Sequence, residues 1–185
     1  MAEQEAKRAL IVVDVQNDFC PGGALGVERG DEVVEPLNRL AEQFLARGDL
    51  VFKSRDWHPE QTKHFEQHGG TWPVHCVRGT RGAEFHPALI DDPRVRVVSK
   101  GEGDEDNYSA FDGTDLAAQL REAGVGEVWV GGLATDYCVK QTVLDALREG
   151  FRVVAVPDAM RAVNLRPGDD RRALEEMRAA GAQLV

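Results

Sequence analysis

The sequence predicts a single-domain, three-layer α/β/α fold built on a mostly parallel sheet of about six strands. Three observations carry this expectation. Ala9 to Val15 is an almost unbroken apolar run, the pattern of a strand covered on both faces. Short strand-like runs alternate with amphipathic stretches along the chain, the order that yields a parallel sheet with helices on both sides. Residues able to do chemistry stand at the carboxyl ends of those runs, where open parallel sheets bind ligands. The layout is Rossmann-like.

The elements follow in order. After a polar leader, Met1 to Arg8, comes the first strand, Ala9 to Val15. Asp31 opens a helix with Val34, Leu37, Leu40, Ala41, Phe44 and Leu45 at helical spacing, and Gly48 closes it. Leu50 to Lys53 reads as the second strand. Trp57 to Pro93 has little periodicity and many Gly, Pro and His residues; a loop that long in a compact domain is usually functional. Val95 to Ser99 is the third strand, and Thr114 caps a helix through Leu116 and Leu120 to Gly124. Glu127 to Val130 is the fourth strand, broken by Gly131 and Gly132. Thr135 then caps a helix with Val139, Val143, Leu144 and Leu147 that stops at Gly150. Phe151 to Val156 is the fifth strand, and a helix around Arg171 to Ala180 leads to a last short strand, Gln183 to Val185. With no internal repeat and no linker, residues 1–185 read as one domain.

Composition narrows the function. With 185 residues, 42% of them hydrophobic, the chain can bury a full core. A net charge of −10 argues against nucleic-acid binding, which needs clustered Lys and Arg. No apolar run approaches the roughly 20 residues that span a bilayer, and the leader lacks the apolar core of a signal peptide. Three cysteines, at 20, 76 and 138, form no Cys-x-x-Cys pair and no even disulfide set, which fits a reducing cytoplasm.

Four strands deliver chemistry to one sheet edge: Asp14 from the first, Asp56 and His58 from the second, Lys100 from the third, and the Cys138 turn from the fourth. If Thr135 is the cap, Cys138 is the third helical residue, where unpaired N–H groups and the helix dipole favour a thiolate. A small buried hydrophobe is the plain alternative for a free cysteine. Asp14 interrupts an apolar strand and needs a partner there, or else caps its own loop. Taken alone, Lys100 reads as a surface lysine. Together, Asp14, Lys100 and Cys138 make a sensible nucleophile set: a carboxylate to take the thiol proton and an ammonium to hold both anions.

Asp56 and His58 point to one side of an extended segment, two residues apart. His64, Glu66, His68 and His75 follow, so four of the five histidines fall within 18 residues. Mixed Asp and His donors suit zinc, iron or manganese, with a polar loop as the alternative. Cys76, next to His75 on an extended chain, points the other way and is left out.

These segments resemble the nicotinamidases, or pyrazinamidases, of the isochorismatase-like cysteine hydrolase superfamily. The likeness rests on Ala9-Leu-Ile-Val-Val-Asp-Val-Gln-Asn-Asp-Phe19, Pro21-Gly-Gly-Ala-Leu25, Arg55-Asp-Trp-His-Pro59 and Trp72-Pro-Val-His-Cys-Val77. Ser99-Lys100, Tyr108-Ser-Ala-Phe111 and Gly132-Leu-Ala-Thr-Asp-Tyr-Cys-Val139 complete it. The resemblance implies a catalytic Asp14, Lys100 and Cys138, and one divalent metal, zinc foremost with iron or manganese as alternatives. It implies Asp56, His58 and His75 as ligands, with His64 ranked fourth and Glu66 and His68 below it. It further implies an oxyanion hole at the Ala134 and Cys138 N–H groups and a cis Leu133–Ala134 peptide. Phe19, Trp72, Tyr108 and Tyr137, with Leu133, are expected around the substrate ring. The implied activity is hydrolysis of nicotinamide, and of pyrazinamide, to the acid and ammonia in NAD salvage. In this family the metal orients the pyridine nitrogen. The expected partner is this small aromatic carboxamide, with a homo-oligomer left open. A relative acting on carbamoyl or ureido compounds generally lacks the metal site, and a catalytically dead binding protein tends to lose catalytic positions first.

Overall fold

The computed structural model describes residues 6–185. Its centre is one six-stranded sheet in the order β3-β2-β1-β4-β5-β6, with every pairing parallel. The strands are β1 (Lys7–Val13), β2 (Leu50–Asp56), β3 (Arg96–Lys100), β4 (Val125–Leu133), β5 (Arg152–Arg161) and β6 (Gln183–Leu184). The helices are α1 (Val34–Ala46), α2 (Leu116–Glu122), α3 (Lys140–Arg148) and α4 (Asp169–Ala180).

Two apolar layers account for the unbroken run in β1. Ala9, Ile11 and Val13 pack with Leu116 and Leu120 of α2, Val143 and Ala146 of α3, and Met177 of α4. Leu10 and Val12 face the other way, onto Leu37, Ala41, Phe44 and Leu45 of α1. These five β1 side chains are buried, and burying a side chain the size of Leu stabilises by about 1.5–3 kcal/mol. The central strand is thus covered on both faces, as its sequence pattern requires.

The structure moves several expected boundaries. β1 begins at Lys7, taking in the end of the polar leader, and ends at Val13 where Asp14 turns with φ of 50°; residues 1–5 of that leader lie outside the described residues. β2 extends past Lys53 to Asp56. Its polar residues stay buried because Lys53 Nζ donates to Ile90 O at 2.9 Å and Ser54 Oγ to Asp14 Oδ1 at 2.7 Å. α1 is preceded by one 3₁₀ turn, Gly30–Val33. Thr114 sits before α2 and accepts the Leu116 N–H at 3.3 Å.

The largest correction concerns β4. Gly131 and Gly132 do not break it; the strand runs through them to Leu133. At Gly132, with φ of 127°, a Cβ would run into the Val13 backbone, so only glycine lets β4 lie this close to β1. Strand numbering reverses direction between β1 and β4. Their carboxyl ends therefore open the crevice where such sheets take ligands. No helix among the described residues is long and apolar enough to cross a membrane.

Candidate active site

Asp14 follows β1, Asp56 closes β2, Lys100 closes β3, and Cys138 lies in the turn after β4. The register pairs Val13 with Ser54, Asp56 with Lys100, and Val13 with Gly132, which stacks these ends beside one another.

The Cys138 turn differs from the expected capped helix. Thr135 is buried and makes no cap. Residues Thr135–Val139 form a π turn, in which Ala134 O accepts the N–H groups of Tyr137 and Val139, each at 3.1 Å. Such widened turns are frequent at functional sites. Thr142 Oγ1 donates to Cys138 O at 2.7 Å and accepts the Ala110 N–H at 3.0 Å, tying the turn to the segment that carries Tyr108. The Leu133–Ala134 peptide is cis, as the resemblance implies.

Lys100 is the centre of the charge arrangement. Its Nζ lies 2.8 Å from Asp14 Oδ2, 2.6 Å from Asp56 Oδ1, 3.1 Å from Asn107 O and 3.6 Å from Cys138 Sγ. Burial alone would lower its pKa, but Asp14 and Asp56 overcome this and hold it well above the ordinary value, so it stays charged. At Asp14, burial outweighs the pull of Lys100 and raises the carboxyl pKa. Asp14 Oδ2 is buried, with no partner besides this ammonium among the described residues.

At Cys138 the helix-start pull toward a thiolate meets opposing influences. Burial pushes its thiol well up, Lys100 opposes this, and the charges of Asp14 and Asp56 add to the rise. Burial beside two carboxylates works against the helix-start effect and favours the neutral thiol.

Next to this set, Asp56, His58, His64 and His75 form a second cluster. One ring nitrogen each of His58, His64 and His75 lies within 4.8 Å of the others, and all three residues are buried. Each Nδ1 is engaged: His58 with Gly101 O at 2.9 Å, His75 with Pro73 O at 2.7 Å, and His64 with Asp106 Oδ1 at 2.5 Å. Each Nε2 is left to offer a lone pair. Asp56 Oδ2 lies 3.3 Å from His58 Nε2 and 3.8 Å from His75 Nε2. His58 Nε2 is buried without a hydrogen-bond partner, and lone pairs facing a carboxylate need a cation between them. The donor set fits a divalent transition metal with nitrogen and oxygen ligands. His64, ranked below the others from sequence, is as buried here as His75. Glu66 and His68 lie exposed in the turn Glu66–His68, away from the cluster. Cys76 is buried in the α1-side core.

A cavity lies between the two clusters. Asp56, His64 and His75 border it, as do Ala134 and Cys138. All five residues expected around a substrate ring, Phe19, Trp72, Tyr108, Tyr137 and Leu133, line it. Trp72 Nε1 donates to Tyr108 Oη at 2.8 Å, and the Trp72 and Tyr137 rings meet edge-on at 5.2 Å. Sequence reasoning missed Leu25, Val27 and Val163, which also line the cavity. It missed Asp136 as well, whose carboxylate accepts the N–H groups of Val163 and Asn164 at 2.9 Å each and so holds Val163 against the cavity. Gln16 was missed too: its amide pairs with the Asp56 N–H and C=O, both at 2.8 Å.

Residues 8–185 match the model of the isochorismatase domain family. The nicotinamidase of Escherichia coli (strain K12) is 45% identical over 96% of this chain and 93% of its own length. The pyrazinamidase of Pyrococcus horikoshii, solved in complex with zinc, superposes with a TM-score of 0.92 at 45% identity, covering 97% of this chain and 98% of that one. The L. infantum protein PnC1, solved in complex with nicotinate, superposes with a TM-score of 0.89 at 37% identity, over 97% of this chain and 92% of that one.

Proposed function

The chain belongs to the isochorismatase family, and we propose that it hydrolyses nicotinamide to nicotinate and ammonia, and pyrazinamide likewise, with Cys138 as nucleophile. The observation that carries this is one cavity bordered both by the Cys138 thiol and by Asp56, His64 and His75, with aromatic side chains around it. A flat ring bearing a ring nitrogen and a carboxamide matches that division. The names of the similar nicotinamidases and the nicotinate complex support it.

In this reading Asp56, His58, His64 and His75 hold one divalent metal, zinc by analogy with the Pyrococcus horikoshii structure. Such an ion supplies a Lewis-acidic site for the pyridine nitrogen and so fixes the ring in the cavity.

The chain's own residues do the rest. Cys138 Sγ attacks the carboxamide carbon while Asp14 takes the thiol proton, so the thiolate forms as it is consumed. Lys100 stays protonated throughout and balances the shifting charge between Asp14 and Cys138. The Ala134 and Cys138 N–H groups receive the oxyanion, and donors of this kind are each worth about 3 kcal/mol. Asp14 then passes its proton to the departing ammonia. For the second half, Asp14 takes a proton from water as its oxygen attacks the thioester carbon, the carbon–sulfur bond breaks, and Asp14 returns the proton to the departing sulfur, restoring the thiol. Phe19, Trp72, Tyr108, Tyr137 and Leu133 hold the ring in place. A nucleophilic thiol and two further unpaired cysteines suit the reducing cytoplasm, where the products would enter NAD salvage.

The test is ammonia release from nicotinamide, pyrazinamide, benzamide and ureido compounds, with metal content measured on the same sample. Turnover of the two heteroaromatic amides that falls with metal removal is expected. Turnover confined to ureido compounds would overturn the assignment.

A further inference from the structure

The acidic stretch after Lys100, Glu102 to Asp106, has no part in the steps above. In the fold it runs back along the segment that carries His64. Thr62 Oγ1 donates to Gly103 O at 2.9 Å, and the Lys63 N–H donates to Asp104 Oδ1 at 3.0 Å. One further contact differs in kind. The Nδ1 groups of His58 and His75 meet backbone carbonyls, which cannot rotate away. The Nδ1 of His64 meets a side chain instead, Asp106 Oδ1, at 2.5 Å. The His64 side chain is 2% exposed and that of Asp106 is 54% exposed, so the carboxylate reaches inward from the surface.

We propose that Asp106 is a positioning residue for the metal centre, setting the tautomer and ring orientation of His64. By accepting the Nδ1 proton, Asp106 leaves His64 Nε2 unprotonated and facing His58 and His75. An anionic partner also makes the imidazole a stronger donor than a carbonyl does. The backbone of His64 is fixed separately, its N–H donating to Thr62 Oγ1 at 3.2 Å, so the ring is the part left for Asp106 to orient. His64 is then the one histidine of the cluster whose alignment hangs on a surface side chain. The inference rests on the reading of His64 as a ligand.

The test uses the full chain, freed of metal by chelation and titrated with Zn²⁺ against a chromophoric competitor. Asp106→Ala is expected to weaken Zn²⁺ binding roughly ten- to hundredfold, the range for lost partners of metal-bound histidines. His64→Ala should weaken it at least as much, and the double variant no further than His64→Ala alone. Asp106→Asn keeps an acceptor oxygen but not the charge and should bind Zn²⁺ more tightly than Asp106→Ala and less tightly than the native protein. Asp104→Ala loosens the same loop without touching a histidine and should leave affinity unchanged. Circular dichroism checks that each variant is folded. Native affinity in Asp106→Ala with weakened binding in His64→Ala overturns the proposal and leaves the four-residue ligand set standing. Native affinity in both removes His64 from the ligand set and the proposal with it. An equal loss in Asp104→Ala also overturns it, by tracing the effect to the loop.

Discussion

Replacing Lys100 with methionine keeps most of the apolar stem and removes the ammonium. That ammonium lies 2.8 Å from Asp14 and 2.6 Å from Asp56, with all three side chains buried. Lys100→Met leaves two carboxylates in the interior with no protein cation between them. Removing one partner of a buried ion pair costs about 3–5 kcal/mol, a large share of the roughly 5–15 kcal/mol that holds a domain folded. In urea unfolding of the metal-free protein, a slope of about 2 kcal/mol per molar turns this into a midpoint lowered by about 1.5–2.5 M. The loss also has a pH sign. Burial already raises the Asp14 pKa and Lys100 opposes the rise, so the variant raises it further. A carboxyl with a raised folded pKa favours the folded state below its unfolded pKa and loses that contribution as pH climbs through the folded one. The deficit is therefore expected to be smallest near about pH 4 and to grow toward neutrality. A deficit below about 1 kcal/mol, the size of an exposed pair, and flat with pH would refute the reasoning.

Three further outcomes follow from the same geometry. Attack needs Asp14 ionised and Cys138 as a thiol, so kcat/KM should trace a bell with its acid limb above 3.8 and its alkaline limb above 9.0; an alkaline fall below 9.0 would contradict the neutral resting thiol. Asp136→Ala frees the N–H groups of Val163 and Asn164 and loosens one wall of the cavity. Steady-state kinetics should show KM rising on the order of tenfold, about 1.4 kcal/mol, with a smaller change in kcat. Gly132→Ala would press a Cβ into the Val13 backbone at a φ of 127°, and calorimetry should show a destabilisation above about 1 kcal/mol.

The parts of this fold that were legible in the sequence are those where local pattern and tertiary burial agree. The apolar run in β1 and the spacing of Leu37, Ala41, Phe44 and Leu45 in α1 each point at the layer they occupy. The errors came where distant partners reverse a local signal. β2 read short because the polar run after Lys53 looks exposed, yet Asp14 satisfies Ser54 inside and Lys100 pairs with Asp56. Gly131 and Gly132 read as strand breakers because their purpose, close approach to neighbouring backbone, is invisible along the chain. In the site, the residues bearing chemistry could be picked out by type and by strand end. Their supports could not: Asp106 is 42 residues from His64, and Asp136 is 27 from Val163. The environment of Cys138 is hidden for a related reason. A helix start can be read from sequence, but burial of Cys138 beside Asp14 and Asp56 cannot.

The account turns on Cys138 carrying the acyl group. Rapid acid quench of the enzyme during nicotinamide turnover, followed by intact-protein and peptide mass spectrometry, tests this directly. A nicotinoyl adduct on the peptide containing Cys138 is expected, absent from a folded Cys138→Ala that releases no ammonia. Ammonia release by Cys138→Ala, or an adduct on another residue, would contradict it.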